Sequence, residues 1–172
     1  TRLKLLATKV LSGDTSNLEA QAAAYYWQQL YGCDFVRSRK MESPNAQMNY
    51  GYAILRSLVA RALSASGMYP SVGIHHRNKY NAFALADDIM EPYRPLVDEK
   101  VIEVMKKHND MELTTAIKRD LLELLTRTVY FKDEKSPLMV GLQKTASSLQ
   151  QCYMGDRKKI KYAALWNSMD TE

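Results

Sequence analysis

The spacing of apolar residues from Asn45 to about Ala65 constrains the fold of this chain more than any other feature. Large apolar side chains recur every three or four residues, at Met48, Tyr52, Leu55, Val59 and Leu63. This period places them on one face of an α-helix, whereas a half-buried strand requires strict alternation. The segment therefore predicts a long helix directly after Pro44, a residue suited to a first helical position.

Gly51 lies inside this predicted helix, where glycine costs about 1 kcal/mol relative to alanine. A glycine at such a position needs a compensating contact. We expect the helix backbone at Gly51 to pack closely against a neighbouring element, because glycine has no side chain to hold the two apart.

Residues that favour helix extend along the rest of the chain. The 172 residues include only seven glycines and five prolines, and 46% are hydrophobic. Further helices are predicted at 2–11, 16–32, 81–105, 112–129 and 137–154, the one at 81–105 being interrupted or kinked at Pro92 and Pro95. Asn81 is the expected cap of the third of these, and a basic tail follows the last. The sequence thus predicts an all-α fold, a single compact domain of about six or more helices spanning residues 1–172.

Charge and cysteine content indicate which partners and which cellular compartment to expect. Lysine and arginine number 24 against 19 acidic residues, a moderate excess that suits a polyanionic partner or an ordinary surface. Cys33 and Cys152 are too few for a disulfide framework and lack zinc-ligand spacing, so we expect both to be reduced and partly buried. No apolar run approaches the ~20 residues that span a bilayer. We therefore expect a cytoplasmic protein without a membrane partner.

Three acids cluster in the stretch from Asp87 to Glu91. On a helix, Asp88 and Glu91 lie roughly 60° apart around the axis, which concentrates negative charge beside the apolar stripe. One interpretation is a solvated acidic face neutralised by Arg94 or Lys79. The other is a bound divalent cation that relieves the repulsion between the carboxylates.

Two histidines, His75 and His76, precede this acidic helix in a short polar loop. An imidazole there can reach the same end of the helix, although a histidine pair also serves packing or hydrogen bonding. Mixed histidine and carboxylate ligands are more typical of a manganese or magnesium site than of a structural zinc site. The loop and helix together are therefore a candidate metal site.

Glu19 has two competing interpretations. It is the fourth residue of Ser16-Asn17-Leu18-Glu19, which has the pattern of a capping box and would stabilise the helix start. It also stands beside a run of alanines, where a neighbouring helix could approach closely and bring other ligands to the carboxylate. The residues alone leave both roles open.

Four blocks of the chain together resemble, in this order, the CRISPR-associated integrase of the spacer-acquisition complex. They are residues 17–27 (NLEAQAAAYYW), 45–55 (NAQMNYGYAIL), 73–76 (GIHH) and 83–95 (FALADDIMEPYRP). The resemblance covers about Leu3 to Gly155 and is most specific between Glu19 and Pro95. It implies the C-terminal helical catalytic domain of that family, from a type II system.

The resemblance also implies a ligand set. The family's metal ligands correspond to Glu19, His76 and Glu91, and Asp88 corresponds to a further active-site acid. The cofactor would be Mn²⁺ or Mg²⁺. His76 is preferred to His75 because its position relative to Glu91 fits members from type II systems, although the adjacent His75 stays open as an alternative.

The implied activity is metal-dependent insertion of captured DNA, the protospacer, into a CRISPR array. A 3′-hydroxyl of the fragment would attack a phosphodiester of the array, one strand at a time. Implied partners are DNA, a second copy in the full-length homodimer, and a small ferredoxin-like CRISPR-associated protein. The family's N-terminal β-rich dimerisation domain is absent from this chain, which starts at Thr1 and is expected to be a processed chain or a fragment.

Basic residues around the implied site and in the tail are candidate DNA contacts, because phosphate contacts position DNA without reading its sequence. They are Arg37, Arg39, Lys40, Arg77, Lys79, Arg157, Lys158 and Lys159. Two other functions compete with the integrase. A metal-dependent phosphohydrolase of the histidine–aspartate type needs an adjacent His-Asp pair that is missing here, and a non-enzymatic helical DNA-binding domain would leave the acids beside histidines unexplained.

Overall fold

The computed structural model describes residues 2–10, 14, 16–38, 43–76, 78–108, 112–132 and 134–166. Its contacts divide the chain into two compact units, residues 1–40 and 41–172. Both are built mainly from helices, so the all-α prediction is confirmed. The predicted single domain spanning 1–172 stays a prediction.

The elements follow the chain in this order. Unit 1 contains α1 (Arg2–Ala7) and α2 (Leu18–Tyr31). The second unit begins with α3 (Asn45–Ala65), α4 (Ala84–Met90), a 3-10 turn (Glu91–Tyr93) and α5 (Arg94–Lys107). It continues with α6 (Thr115–Leu122), a 3-10 turn (Glu123–Thr126), β1 (Thr128–Phe131), β2 (Glu134–Pro137) and α7 (Leu138–Met154).

In unit 1 the start of α2 is capped differently from the prediction. The Asp14 carboxylate accepts the backbone N–H groups of Leu18 at 2.8 Å and Glu19 at 2.9 Å. The N-cap residue Asn17 makes no side-chain capping bond, so the predicted capping box was wrong. Asp14 satisfies the free N–H groups because a carboxylate accepts two of them at once and favours the positive end of the helix dipole.

The long helix α3 lies at the centre of the second unit, as its apolar stripe requires. It packs against α4, α5, α6 and α7. A Cβ added at Gly51 would lie 2.5 Å from Cγ1 of Val97 in α5, which confirms the expected close approach at this glycine. Met48, Leu55 and Leu63 are fully buried on the same helix.

The region from 112 to 137 departs from the prediction of one helix to about Val129. Helix α6 ends at Leu122, and β1 then pairs antiparallel with β2, with Val129 opposite Ser136. Val129 and Phe131 are buried in β1 while Thr128 and Tyr130 are more exposed, an alternation that a strand provides and a helix does not. Four apolar or β-branched residues were too few to outweigh the helical pattern before them.

One further expectation is corrected at the end of an element. Asn81 does not cap α4, which begins at Ala84; its side-chain oxygen instead accepts the N–H of Phe83 at 3.0 Å. The predicted basic tail does follow α7, and its continuation over residues 160–166 is here called the C-terminal strap. Its Ala164 pairs with Tyr130 of β1 in an antiparallel bridge.

Two remaining expectations concern the cysteines and the membrane. Cys152 is partly buried and Cys33 is exposed, so burial of Cys33 was wrongly expected, and neither forms a disulfide. Along the described ranges, no helix combines the length and apolarity needed to cross a membrane.

Lys107 and His108, at the end of α5, hold a buried carboxylate of α6. Asp120 Oδ2 lies 2.7 Å from Lys107 Nζ and 2.8 Å from His108 Nε2, and the Asp120 side chain is 4% exposed. The hydrogen bond from His108, followed by that from Lys107, lowers the Asp120 pKa from 3.8 to about 2. This cluster therefore ties α6 to the end of α5.

We predict that Gly51→Ala destabilises the protein by about 1–2 kcal/mol, although alanine is the better helix former. The new methyl group would lie 2.5 Å from Cγ1 of Val97, a fully buried side chain that would have to shift within the core. The free energy of urea unfolding measures the effect. Ser64→Ala, at an exposed position of the same helix, is the matched control and should stay within about 0.5 kcal/mol of wild type. Equal stability of the two variants would contradict the close packing.

We also predict a pH-dependent contribution from Asp120. Its pKa in the folded protein, about 2, lies below the ordinary 3.8, so the ionised carboxylate stabilises the fold above pH 3.8 and this contribution disappears as the pH falls toward 2. Asp120→Asn should therefore lower the urea midpoint most near pH 6 and progressively less below about pH 4. Asp156→Asn, in the exposed turn after α7, is the control. A deficit that stays constant over this range would refute the assignment.

Candidate active site

The loop before α4 is held by one buried carboxylate. Asp88, only 8% exposed, accepts the backbone N–H of Ile74, that of His75 at 3.0 Å and that of His76 at 3.2 Å. Three consecutive amides converge on one side chain, so the path of the loop is fixed by Asp88. The sequence predicted an acid near this loop but not that it would be turned inward to bind the loop backbone.

The same carboxylate determines which ring nitrogen of His76 carries a proton. His76 Nδ1 lies 2.6 Å from Asp88 Oδ1. Burial raises the Asp88 pKa, but the His76 ring and the three backbone N–H groups together outweigh burial, and the net pKa is lowered. Asp88 is therefore ionised at neutral pH and can only accept, so Nδ1 of His76 carries the proton. When the ring carries this one proton, Nε2 has a lone pair available to a metal ion.

Gly73 permits this loop to lie against the start of α4. A Cβ at this position would be 2.3 Å from the carbonyl oxygen of His76 and 2.9 Å from Cβ of Ala84. Both neighbours are fixed, the first as backbone and the second as a residue buried at 1% exposure. A side chain at position 73 would thus displace the loop that carries His76.

The three acids of α4 and the following turn have three different environments. The Asp87 carboxylate accepts a hydrogen bond from the Asn81 amide at 2.8 Å, and Asp88 faces the loop. Glu91 is exposed, and its carboxylate has no hydrogen bond or ion pair with any described residue. Glu91 is therefore free to bind a ligand.

The expected counter-charges do not neutralise these acids. The Arg94 guanidinium lies over the Tyr52 ring at 5.6 Å and the Lys79 ammonium over the Tyr80 ring at 5.0 Å. Neither forms an ion pair with Glu91 within the described parts of the chain. The solvated acidic face paired with these two cations is therefore not what the side chains form.

Glu19 belongs to unit 1, where it is exposed on the first turn of α2. Its side chain makes no hydrogen bond to the described residues, so the carboxylate is not used in capping. Among the described residues, no three or more His, Cys, Asp or Glu side chains form a group that could hold a metal ion. The ligand set Glu19, His76 and Glu91 stays a prediction.

The candidate DNA contacts are only partly described. Arg39, Lys40 and Arg77 lie outside the described residues. Arg37 is half-buried in unit 1, where its guanidinium lies 6.0 Å from the centre of the Trp27 ring. The exposed side chains are those of Lys79, Arg157, Lys158 and Lys159.

Sequence reasoning missed one residue beside the site. Tyr162, in the C-terminal strap, lies with its ring centre 6.1 Å from that of Tyr93, two residues after Glu91. Burial raises the Tyr162 pKa first, and the neighbouring Tyr93 and then the negative charges of Asp88 and Glu91 raise it further. Only the apolar run from Ala163 to Trp166, next to a basic tail, indicated that this segment could pack.

Comparison with known proteins places this geometry in a family. The sequence profile described as CRISPR associated protein Cas1 matches residues 6–126. The chain is 43% identical over 150 residues to the CRISPR-associated endonuclease Cas1 of Neisseria meningitidis serogroup C, covering 87% of this chain and 49% of that protein. It is 26% identical over 182 residues to a Cas1 endonuclease of Francisella tularensis subsp. novicida, covering 95% and 57%. The chain spans about half the length of these curated relatives.

Solved structures share the fold. A casposase bound to integration product superposes with a TM-score of 0.72 at 21% identity, covering 86% of this chain and 49% of that one. A chain of a Cas6-RT-Cas1–Cas2 complex gives the same TM-score and identity, covering 97% and 21%.

We predict that Asp88→Asn loosens the loop before α4, because the uncharged amide cannot accept all the bonds that the carboxylate accepts. Hydrogen exchange at the amides of Ile74, His75 and His76 should accelerate roughly 10- to 100-fold. Asp87→Asn is the matched control, because it removes the neighbouring charge and leaves the loop bonds in place. Unchanged exchange in Asp88→Asn would show that the loop is held by other contacts.

Proposed function

The chain belongs to the CRISPR-associated Cas1 family, and on that premise we propose that it is the helical catalytic domain of an integrase that joins captured DNA into a CRISPR array. The observation that carries the proposal is the pairing of His76 with buried Asp88, beside the free carboxylate of Glu91. A histidine fixed by a carboxylate with its second nitrogen open is the usual arrangement of a metal-binding histidine.

The proposed ligands of a divalent cation are Glu19, His76 and Glu91. Their donor atoms fit the role, because His76 offers Nε2 and the carboxylates of Glu19 and Glu91 are exposed and unpaired among the described residues. Oxygen and imidazole nitrogen ligands suit Mn²⁺ or Mg²⁺. When bound, such a cation would polarise the scissile phosphate and stabilise negative charge on the leaving oxygen.

The residues of the chain itself would perform the positioning. Asp88 holds the His76 tautomer and the loop path, so His76 meets a ligand in one orientation without a cost of reorganisation. The reaction we propose is attack by a 3′-hydroxyl of the captured fragment on a phosphodiester of the array. One bond to phosphorus forms as another breaks, one strand at a time.

Basic side chains would hold the DNA backbone. Lys158 and Lys159 follow α7 as exposed residues without an ion pair to any described acid. Lys79, Arg157, Arg39, Lys40 and Arg77 complete the proposed contacts; Arg37 is less suited, because it is half-buried over Trp27. Such contacts give affinity that falls with salt and does not depend on DNA sequence.

The proposed partners and location follow from the family. The relatives are about twice the length of this chain, and one solved neighbour is a Cas6-RT-Cas1–Cas2 complex. We propose that the full-length protein forms a homodimer through a β-rich domain, binds a small ferredoxin-like CRISPR-associated partner, and acts in the prokaryotic cytoplasm.

We predict that His76→Ala, Glu91→Gln or Glu19→Gln each lowers strand joining at least 100-fold, because each removes a proposed metal ligand. The assay joins a labelled DNA fragment to a supercoiled array plasmid, with manganese, using the protein at its natural length. Asp87→Asn is the control for a change of charge beside the site and should retain activity. Thermal midpoints should change by only a few degrees for Glu19→Gln and Glu91→Gln, because both carboxylates are exposed. His76→Ala should lower the midpoint further, because it removes one donor to the buried Asp88.

Two outcomes would refute the proposal. Full activity in the ligand variants would remove the assignment of the site. DNA binding that is identical with and without manganese, together with no joining by wild type, would indicate a DNA-binding domain without catalysis.

A further inference from the structure

The C-terminal strap, residues 160–166, is bound to β1 and to α7. The N–H of Tyr130 donates to the Ala164 carbonyl at 2.8 Å, and the N–H of Ala164 donates back at 2.7 Å. The Lys161 N–H donates to the Ser148 hydroxyl at 2.8 Å. Backbone bonds on both sides therefore fix the position of Tyr162.

A buried tyrosine connects the strap to the acids. Thr145 donates its hydroxyl hydrogen to the Gly141 carbonyl, so the Tyr93 hydroxyl donates to Thr145 Oγ1 at 2.6 Å. The Tyr93 oxygen then accepts the N–H of Ala163 at 3.1 Å. Tyr93 is fully buried and lies two residues after Glu91, so the turn carrying Glu91 and the strap are held by one side chain.

Tyr162 differs from Tyr93 in having an unused hydroxyl. Its ring packs against Tyr93 with the planes at 52°, and the residue is 37% exposed. Its hydroxyl makes no hydrogen bond to any described residue. Burial and the nearby acids raise its pKa, so the phenol keeps its proton at neutral pH. A fixed, half-exposed donor therefore packs against Tyr93, two residues along the chain from the exposed Glu91 carboxylate.

We propose that the Tyr162 hydroxyl contacts DNA in this active site by donating a hydrogen bond to a non-bridging phosphate oxygen of the strand held beside Glu91. This inference rests on the proposed function and adds a substrate contact to it. Asp88 and Glu91 repel a phosphate, and a neutral donor attracts it without competing for a metal ion. The strap thereby acts as a support for a substrate-binding group.

The test compares Tyr162→Phe with wild type in strand joining by the protein at its natural length. Phenylalanine keeps the packing against Tyr93 and removes only the donor. The joining rate should fall roughly 10- to 100-fold, as expected for a lost hydrogen bond to a charged group, with an unchanged thermal midpoint. Tyr153→Phe, at an exposed position near the end of α7, is the matched control and should behave as wild type.

A modified DNA strand identifies the phosphate. A neutral methylphosphonate is placed at one position at a time near the joining end. At the contacted position the modification should slow wild type more than it slows Tyr162→Phe, because the variant has already lost the bond. The absence of any such position would overturn the proposal.

The remaining outcomes are also decisive. A Tyr162→Phe rate within twofold of wild type would overturn the inference and leave the proposed function intact, and a lower thermal midpoint would reduce Tyr162 to a packing residue. If wild type joins no strands, the proposed function fails. The Tyr162 contact is then tested by comparing the affinities of wild type and Tyr162→Phe for the same DNA with manganese. Equal binding by wild type and Tyr162→Phe overturns the Tyr162 contact, and weaker binding by the variant supports it.

Discussion

The candidate site depends on the hydrogen bonds that the buried, ionised carboxylate of Asp88 accepts from the loop before α4. A charge removed from water is costly unless hydrogen bonds replace its hydration, and three backbone amides and one imidazole replace it here. These donors lie in a loop with no regular structure of its own. Asp88 therefore fixes the path of this loop and the tautomer of His76.

The packing around α3 explains why this acid can be buried. Helices α4 and α5 both contact α3, and the absent side chain of Gly51 lets α5 approach to van der Waals distance. The turn between α4 and α5 carries Glu91 and Tyr93, so the exposed acid is anchored by the buried tyrosine. The C-terminal strap is bonded to the same tyrosine through the Ala163 N–H, so a segment distant in sequence also holds the turn that carries Glu91.

The sequence predicted the parts of this structure that depend on local periodicity. Helices α2, α3 and α7 and the tight contact at Gly51 follow from apolar spacing and from the cost of glycine. The hairpin and the cap at Asp14 did not, because a four-residue strand is stabilised by its partner and a carboxylate four residues before a helix is one of several possible caps. The family ligand set came from resemblance, whereas the inward turn of Asp88 and the position of Tyr162 depend on contacts between residues distant in sequence.

We propose that Asp88 presents Nε2 of His76, with the Glu91 carboxylate, to a divalent cation. Manganese soaked into crystals of the protein at its natural length, and located by its anomalous scattering, tests this most directly. We expect a peak within coordination distance of His76 Nε2 and a Glu91 oxygen, with Nδ1 still bonded to Asp88. A peak at Asp88 with His76 turned away, or no peak near either residue, would contradict it.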